Sequence, residues 1–167
     1  MIETHPFGDF VPNKVKYLML GSFVTKPTHP YDWFYANGRN HFWPIMREVY
    51  GLELSTKAQQ QKLFIDLEMA LADIILSCER RKNSNLDTNL FNIVYNVQGI
   101  NAILSKNKIK KIFFTSRYVE DLFRKVFKDI QIELVCLPSP SPRYATMHKA
   151  EKIRLYKELL PKLSCST

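Results

Sequence analysis

Four short apolar runs, each passing into a segment of helical character, constrain this chain more than any other feature. They are VKYLML (15–20), ADIILS (72–77), IKKIFFT (109–115) and IELVCL (132–137). Residue patterning predicts helices over 41–50, 56–67, 97–104, 116–127 and 146–160. Gly51 stops the first of these, and Pro161 stands just past the last. Strands that alternate with helices pair in parallel, in a sheet covered on both faces. Ligands of such sheets sit beyond the C-terminal strand ends. Three loops reach that rim: 22–41, 77–89 and 138–145. No internal repeat or linker divides the 167 residues, so 1–167 is expected to be one domain.

Charge narrows the partners. Lys and Arg number 24 against 16 Asp and Glu, a net charge of +8. That surface suits a polyanion such as nucleic acid, a nucleotide or acidic lipid, and equally a generic basic protein. No apolar run is long enough to span a bilayer, so no membrane partner is expected. The N-terminal residues lack the basic and apolar regions of a secretion signal. Cys78, Cys136 and Cys165 are scattered, which fits a reducing compartment, and a cytoplasmic location is expected. There is no CxxC, no HExxH and no close His/Asp/Glu cluster, so no metal is expected. Gly21 belongs to neither GxGxxG nor GxxxxGK[ST], which argues against a dinucleotide or P-loop site. Ser22, Ser139 and Ser141 lie outside any G-x-S-x-G elbow.

Two loops concentrate polar groups. YANGRNHFWPIM (35–46) sets Arg39, Asn40 and His41 between aromatic residues. LPSPSPRYATM (137–147) places Ser139 and Ser141 among three prolines, with Arg143 and Tyr144 at its tip. The helix start that follows offers free backbone N–H groups and a positive dipole end, a seat for phosphate. A stiff connector ending in a helix cap has the same composition.

Taken in order, YLMLGSF (17–23), WFYANGRNHFW (33–43), LADIILSCERRKNSNLD (71–87), IKKIFFTS (109–116) and LPSPSPRYA (137–145) resemble the uracil-DNA glycosylase superfamily. The resemblance is closest to its hypoxanthine (deoxyinosine) branch, and next to the mismatch-specific uracil and thymine glycosylases. It covers nearly the whole chain. It implies a three-layer α/β/α sandwich around a four-stranded parallel sheet. The implied activity is excision of a deaminated base from DNA, hypoxanthine first and uracil second, by hydrolysis of the N-glycosidic bond. The implied enzyme is a monomer that needs no cofactor. The rival reading is a catalytically silent nucleic-acid-binding module on the same fold. A small-molecule hydrolase is more distant.

The resemblance also implies roles for residues. Tyr35 matches the aromatic that stacks under the flipped base. Asn40 matches the catalytic Asn of the hypoxanthine branch, and it is also well placed to cap the following helix. Phe23 is expected to line the base-binding site; it stands just after the first strand, where most of the superfamily carries an Asp or Asn that positions water, which a phenyl ring cannot do. Asp73 lies where relatives place a base-reading side chain, and a buried structural carboxylate is equally expected there. Ser139, Ser141, Arg143 and Tyr144 fall in the second motif, which contacts DNA; the His common in that motif is absent here. Arg80 is expected to pair with Asp87 or to hold its loop. His41 receives no catalytic role. Lys26, Arg39, Arg80, Arg81, Arg143 and Lys149 are candidates for a basic rim.

Overall fold

The computed structural model describes residues 1–24, 33–36, 39–82 and 86–164. Lys26, Pro27, Pro30, the Asn37-Gly38 turn and Cys165 fall outside the described residues. In chain order the elements are β1 (Glu3–Thr4), β2 (Tyr17–Gly21), α1 (Phe42–Tyr50), α2 (Lys57–Leu67), β3 (Met69–Asp73), β4 (Ile75–Arg80), β5 (Leu90–Tyr95), α3 (Val97–Lys106), β6 (Lys111–Phe114), α4 (Arg117–Val126), β7 (Glu133–Cys136) and α5 (Lys149–Leu159).

The expected four-stranded parallel sheet is present, in the order β3-β2-β6-β7. Side chains alternate across it. Leu18 and Leu20 point to one face, with Ala70, Ala72, Ile112 and Phe114, against Ile100 and Ile103 of α3 and Val119 and Phe123 of α4. Met19 points to the other, with Leu71 and Phe113, against Phe42 of α1, Phe64 of α2 and Tyr156 of α5. Helices on both faces make three layers. Local chemistry stops α1 and starts α2 where the sequence predicts. Gly51 adopts φ 62° after α1. Thr56 and Gln59 form a reciprocal capping box at the start of α2, a device worth about 1 kcal/mol.

Two expectations need correction. The second sheet strand is not ADIILS but Met69–Asp73. Glu68, in a left-handed conformation (φ 55°), turns α2 straight into β3 with no loop between them. The chain then bends at Ile74, and 75–80 joins a separate antiparallel sheet, β1-β4-β5, that the sequence did not announce. The apolar run from Met69 to Leu76 has no polar interruption but Asp73, so periodicity cannot show where one strand ends and the next begins. The last helix starts at Lys149, not Thr146, because 141–147 is occupied by turns.

Candidate functional site

Register builds the floor of the site. Gly21 closes β2 directly beside Asp73, which closes β3. A Cβ on Gly21 would lie 2.6 Å from Asp73 Oδ1 and 2.7 Å from the Tyr35 hydroxyl, so only glycine fits under both. Asp73 Oδ2 lies 2.7 Å from His5 Nε2, and both side chains are nearly buried. Gly8 N–H donates to His5 Nδ1 at 3.2 Å, so the ring proton sits on Nε2 and is donated to Asp73. Asn96 donates to the Asp73 carbonyl and to Asp9, whose carboxyl burial holds above its usual range. The reading of Asp73 as a fixed, buried carboxylate therefore holds, and it also borders the cavity described below. His5 was not singled out from the sequence; an isolated His in an N-terminal segment carries no motif.

Tyr35 has a left-handed backbone (φ 55°), uncommon for a residue with a side chain. Its ring stacks on buried Phe42 with centroids 4.0 Å apart and planes at 14°. Trp43 Nε1 donates to the Phe34 carbonyl and ties down the same turn. The stack covers one face of the Tyr35 ring. Its hydroxyl is buried without a hydrogen bond of good geometry, although Thr115 stands beside it. Burial first, then the Asp73 charge, raise the phenol well above its ordinary pKa.

Asn40 accepts the Phe42 N–H on Oδ1 at 2.8 Å. Asn40 stands one residue before the N-cap, His41, so it is not the cap expected of it; it satisfies a helix-start N–H by a local turn, and that bond orients the amide so that Nδ2 is left as a donor. His41 Nδ1 is buried and unpartnered, and burial, then Lys149 and Lys152, lower its pKa. His41 does not border the cavity.

The 138–144 loop is held from beneath by three donors. Tyr156 hydroxyl bonds the Pro138 carbonyl at 2.8 Å, His41 N–H the Pro140 carbonyl at 3.0 Å, and Lys152 Nζ the Ser141 carbonyl at 3.2 Å. Lys152 is buried and also lies 5.1 Å over the Tyr144 ring. Ser139 Oγ accepts the Ser141 N–H, and Ser141 Oγ accepts the Arg143 N–H. Each hydroxyl closes the loop and keeps its own proton to donate. α5 starts only at Lys149 and none of its residues borders the cavity described below, although Lys152 in its first turn bonds the Ser141 carbonyl.

Arg80 is corrected. Its side chain is 4% exposed, its Nε donates to both Glu3 carboxylate oxygens, and an NH2 group bonds the Val24 carbonyl. It holds the loop, as one of the two expectations had it, through an ion pair with Glu3 rather than offering a rim charge. Asp87 accepts the Ser22 hydroxyl at 2.8 Å and also feels the Arg80 charge. Burial, with Asp73 nearby, raises its carboxyl above the usual range. Asp87 had no role in the sequence reading beyond pairing Arg80. Arg39, Arg81, Arg143 and Lys149 are exposed, with Arg81 lying over Phe91.

One cavity of about 350 Å³ gathers these groups. Phe23, Tyr35, Asn40, Asp73, Ser139, Ser141, Arg143 and Tyr144 all border it, as do Ser22 and Asp87. Its size falls within the roughly 300–1,000 Å³ of small-ligand sites. Among the described residues, no three His, Cys, Asp or Glu side chains converge as metal ligands, and no helix is long and apolar enough to cross a membrane.

No protein-family model and no curated protein matches the sequence. The architecture does have solved counterparts. A solution structure of a candidate uracil DNA glycosylase from Methanosarcina acetivorans superposes with a TM-score of 0.64 over 95% of this chain and 99% of that one. The two are 19% identical. At that distance the likeness is one of fold, and this chain has the mixed α/β fold of a uracil-DNA-glycosylase-like structure, built on a four-stranded parallel sheet.

Proposed function

We propose that this protein is a monofunctional DNA glycosylase that removes a deaminated base, hypoxanthine first and uracil second. One observation carries the reading. Eight residues chosen from four separate stretches of sequence border a single cavity at the C-terminal edge of the sheet. Each step of the chemistry then has a group to perform it. The target nucleotide leaves the duplex and enters the cavity, where the Tyr35 ring receives the base. Deamination turns adenine N1 or cytosine N3 from an acceptor into an N–H donor. The Asp73 carboxylate accepts from that donor and opposes the parent base. A site built on such a bond rejects analogues that lack it. The Asn40 Nδ2 protons meet negative charge on the departing base, where a fixed donor counts most. Ser139, Ser141 and Arg143 hold the flanking phosphates, and Tyr144 fills the gap left in the stack.

An abasic-site cleavage assay on duplexes carrying inosine, uracil or xanthine tests this. Strand breakage after alkali, fastest with inosine, is expected. Duplex binding without release of any of the three would favour the silent module, the reading that Phe23 at the usual polar position supports.

A further inference from the structure

The cavity holds two carboxylates among its described residues, and their surroundings differ. Asp73 lies on the floor, with one oxygen committed to His5 and the other crowded over Gly21 beside the Tyr35 hydroxyl. Asp87 comes from a different part of the chain, the single 3-10 turn Asp87–Asn89 between β4 and β5. The Ser22 hydroxyl, one residue past the end of β2, reaches it at 2.8 Å. That bond fixes a carboxylate above the C-terminal end of a central strand. Phe23, next in the chain, borders the same space with an apolar ring.

We propose that Asp87 is the catalytic carboxylate that holds and deprotonates the attacking water, while Asp73 reads the base. This assignment rests on the glycosylase reading above. In the step, the water oxygen bonds to C1′ as the C1′–N bond breaks, and that electron pair leaves on the base nitrogen. The water proton passes to Asp87 and then to solvent. The departing base anion takes a proton from solvent. No oxidant, metal or co-reactant is needed.

The surroundings of Asp87 suit a base. Burial raises its proton affinity most, and the Asp73 charge adds to that, while the Ser22 hydroxyl and Arg80 oppose it. Tyr35, Cys78 of β4 and Tyr118 of α4 also feel its charge. Two carboxylates held in unlike environments divide into two roles, a recurrent solution in acid–base catalysis.

The test is single-turnover release of hypoxanthine from an inosine duplex across the acid-to-neutral range, using the full chain. Wild type should lose rate as pH falls and Asp87 is protonated. Asp87→Asn should slow release by on the order of 10²- to 10⁴-fold and erase that acid limb, with duplex binding kept. Its fold should also survive. The folded pKa of Asp87 is raised, so this group costs stability as pH climbs from its unfolded to its folded pKa. An amide removes that cost and can still accept from Ser22. Ser22→Ala keeps the carboxylate but removes a donor that favours its charged form, so the acid limb should move to higher pH. Near-wild-type release by Asp87→Asn would overturn the assignment, as would an acid limb that Ser22→Ala leaves in place; the latter decides the matter should Asp87→Asn fail to fold. A wild-type chain that releases no base from inosine, uracil or xanthine duplexes would overturn the glycosylase reading and the assignment with it.

Discussion

The floor and the lip of the cavity are built on opposite principles. On the floor, Gly21, Asp73, His5 and Tyr35 are fixed by strand register and close packing, and the Tyr35 hydroxyl is buried without a partner. On the lip, Ser139 and Ser141 satisfy their own loop's amides, and Arg143 and Tyr144 lie exposed. A buried polar group lacking a bond costs free energy that a ligand recovers on binding. In the proposed glycosylase the floor is therefore the part that judges a base atom by atom. The lip is already satisfied and has only outward donors and charge to give, which suits a repetitive phosphate backbone. Substitutions on the floor should change what is cut; those on the lip should change how tightly DNA is held.

Asn40 joins the two regions and should give the largest effect. Asn40→Asp keeps an oxygen for the Phe42 N–H, and an acid is favourable at the start of α1. It loses the amide donors and sets a negative charge where they stood, which opposes a departing base anion. Inosine excision should fall by on the order of 10²- to 10³-fold, the loss seen when one transition-state donor is removed, with melting temperature and duplex affinity close to wild type. Full activity in this variant would reduce Asn40 to a partner for a helix-start N–H and end its role as the link between floor and lip.

Gly21→Ala comes next. Its methyl has to displace either Asp73, which His5 holds, or the buried end of Tyr35. A cost of about 1–3 kcal/mol is expected for this overpacking, read as a lower melting temperature, together with lost discrimination between inosine and adenine. Unchanged stability and selectivity would mean that the floor is softer than its geometry implies. Tyr35→Ala should weaken binding of duplexes with an extrudable base by roughly 1–3 kcal/mol and leave binding of undamaged duplex almost unaltered, a contrast that parallel affinity titrations would read directly.

The sequence made the lip legible and the floor only half so. The Pro/Ser spacing of 138–142 and the neighbouring Arg143 and Tyr144 advertise their loop, because its structure comes from local turn chemistry. Asp73 was visible as the one polar residue inside the apolar run from Met69 to Leu76, and Tyr35 and Asn40 through their shared motif. His5 and Asp87 were not visible as members of the site. Each meets its partner only across a long stretch of chain, His5 across 68 residues and Asp87 to Ser22 across 65. No local pattern encodes such a meeting. The switch from β3 to β4 was hidden for the opposite reason, since β3 and the start of β4 lie in one apolar stretch that only Asp73 interrupts. Lys152 was lost among the many lysines of a basic chain; only its position under the Ser141 carbonyl sets it apart.

Two arginines give the smallest effect and the cleanest division between the regions. Arg143 is exposed on the lip, whereas Arg80 is buried in the cavity wall, bound to Glu3 and the Val24 carbonyl. An exposed guanidinium on a phosphate releases counterions on binding, so its removal lowers the slope of log affinity against log salt by about one. Arg143→Ala should therefore bind DNA only several-fold more weakly at moderate salt, show that reduced slope and keep its melting temperature. Excision measured on saturated enzyme should hardly change, because the contact is equally strong before and during bond breakage. Arg80→Ala should behave in reverse. It leaves Glu3 and a loop carbonyl without their donor, so the melting temperature should drop while the salt slope stays at the wild-type value. Should Arg80→Ala alter the salt slope and Arg143→Ala leave it untouched, the basic rim would have to be redrawn with Arg80 as the DNA contact, and the separation of a reading floor from a gripping lip would fail at its most exposed point.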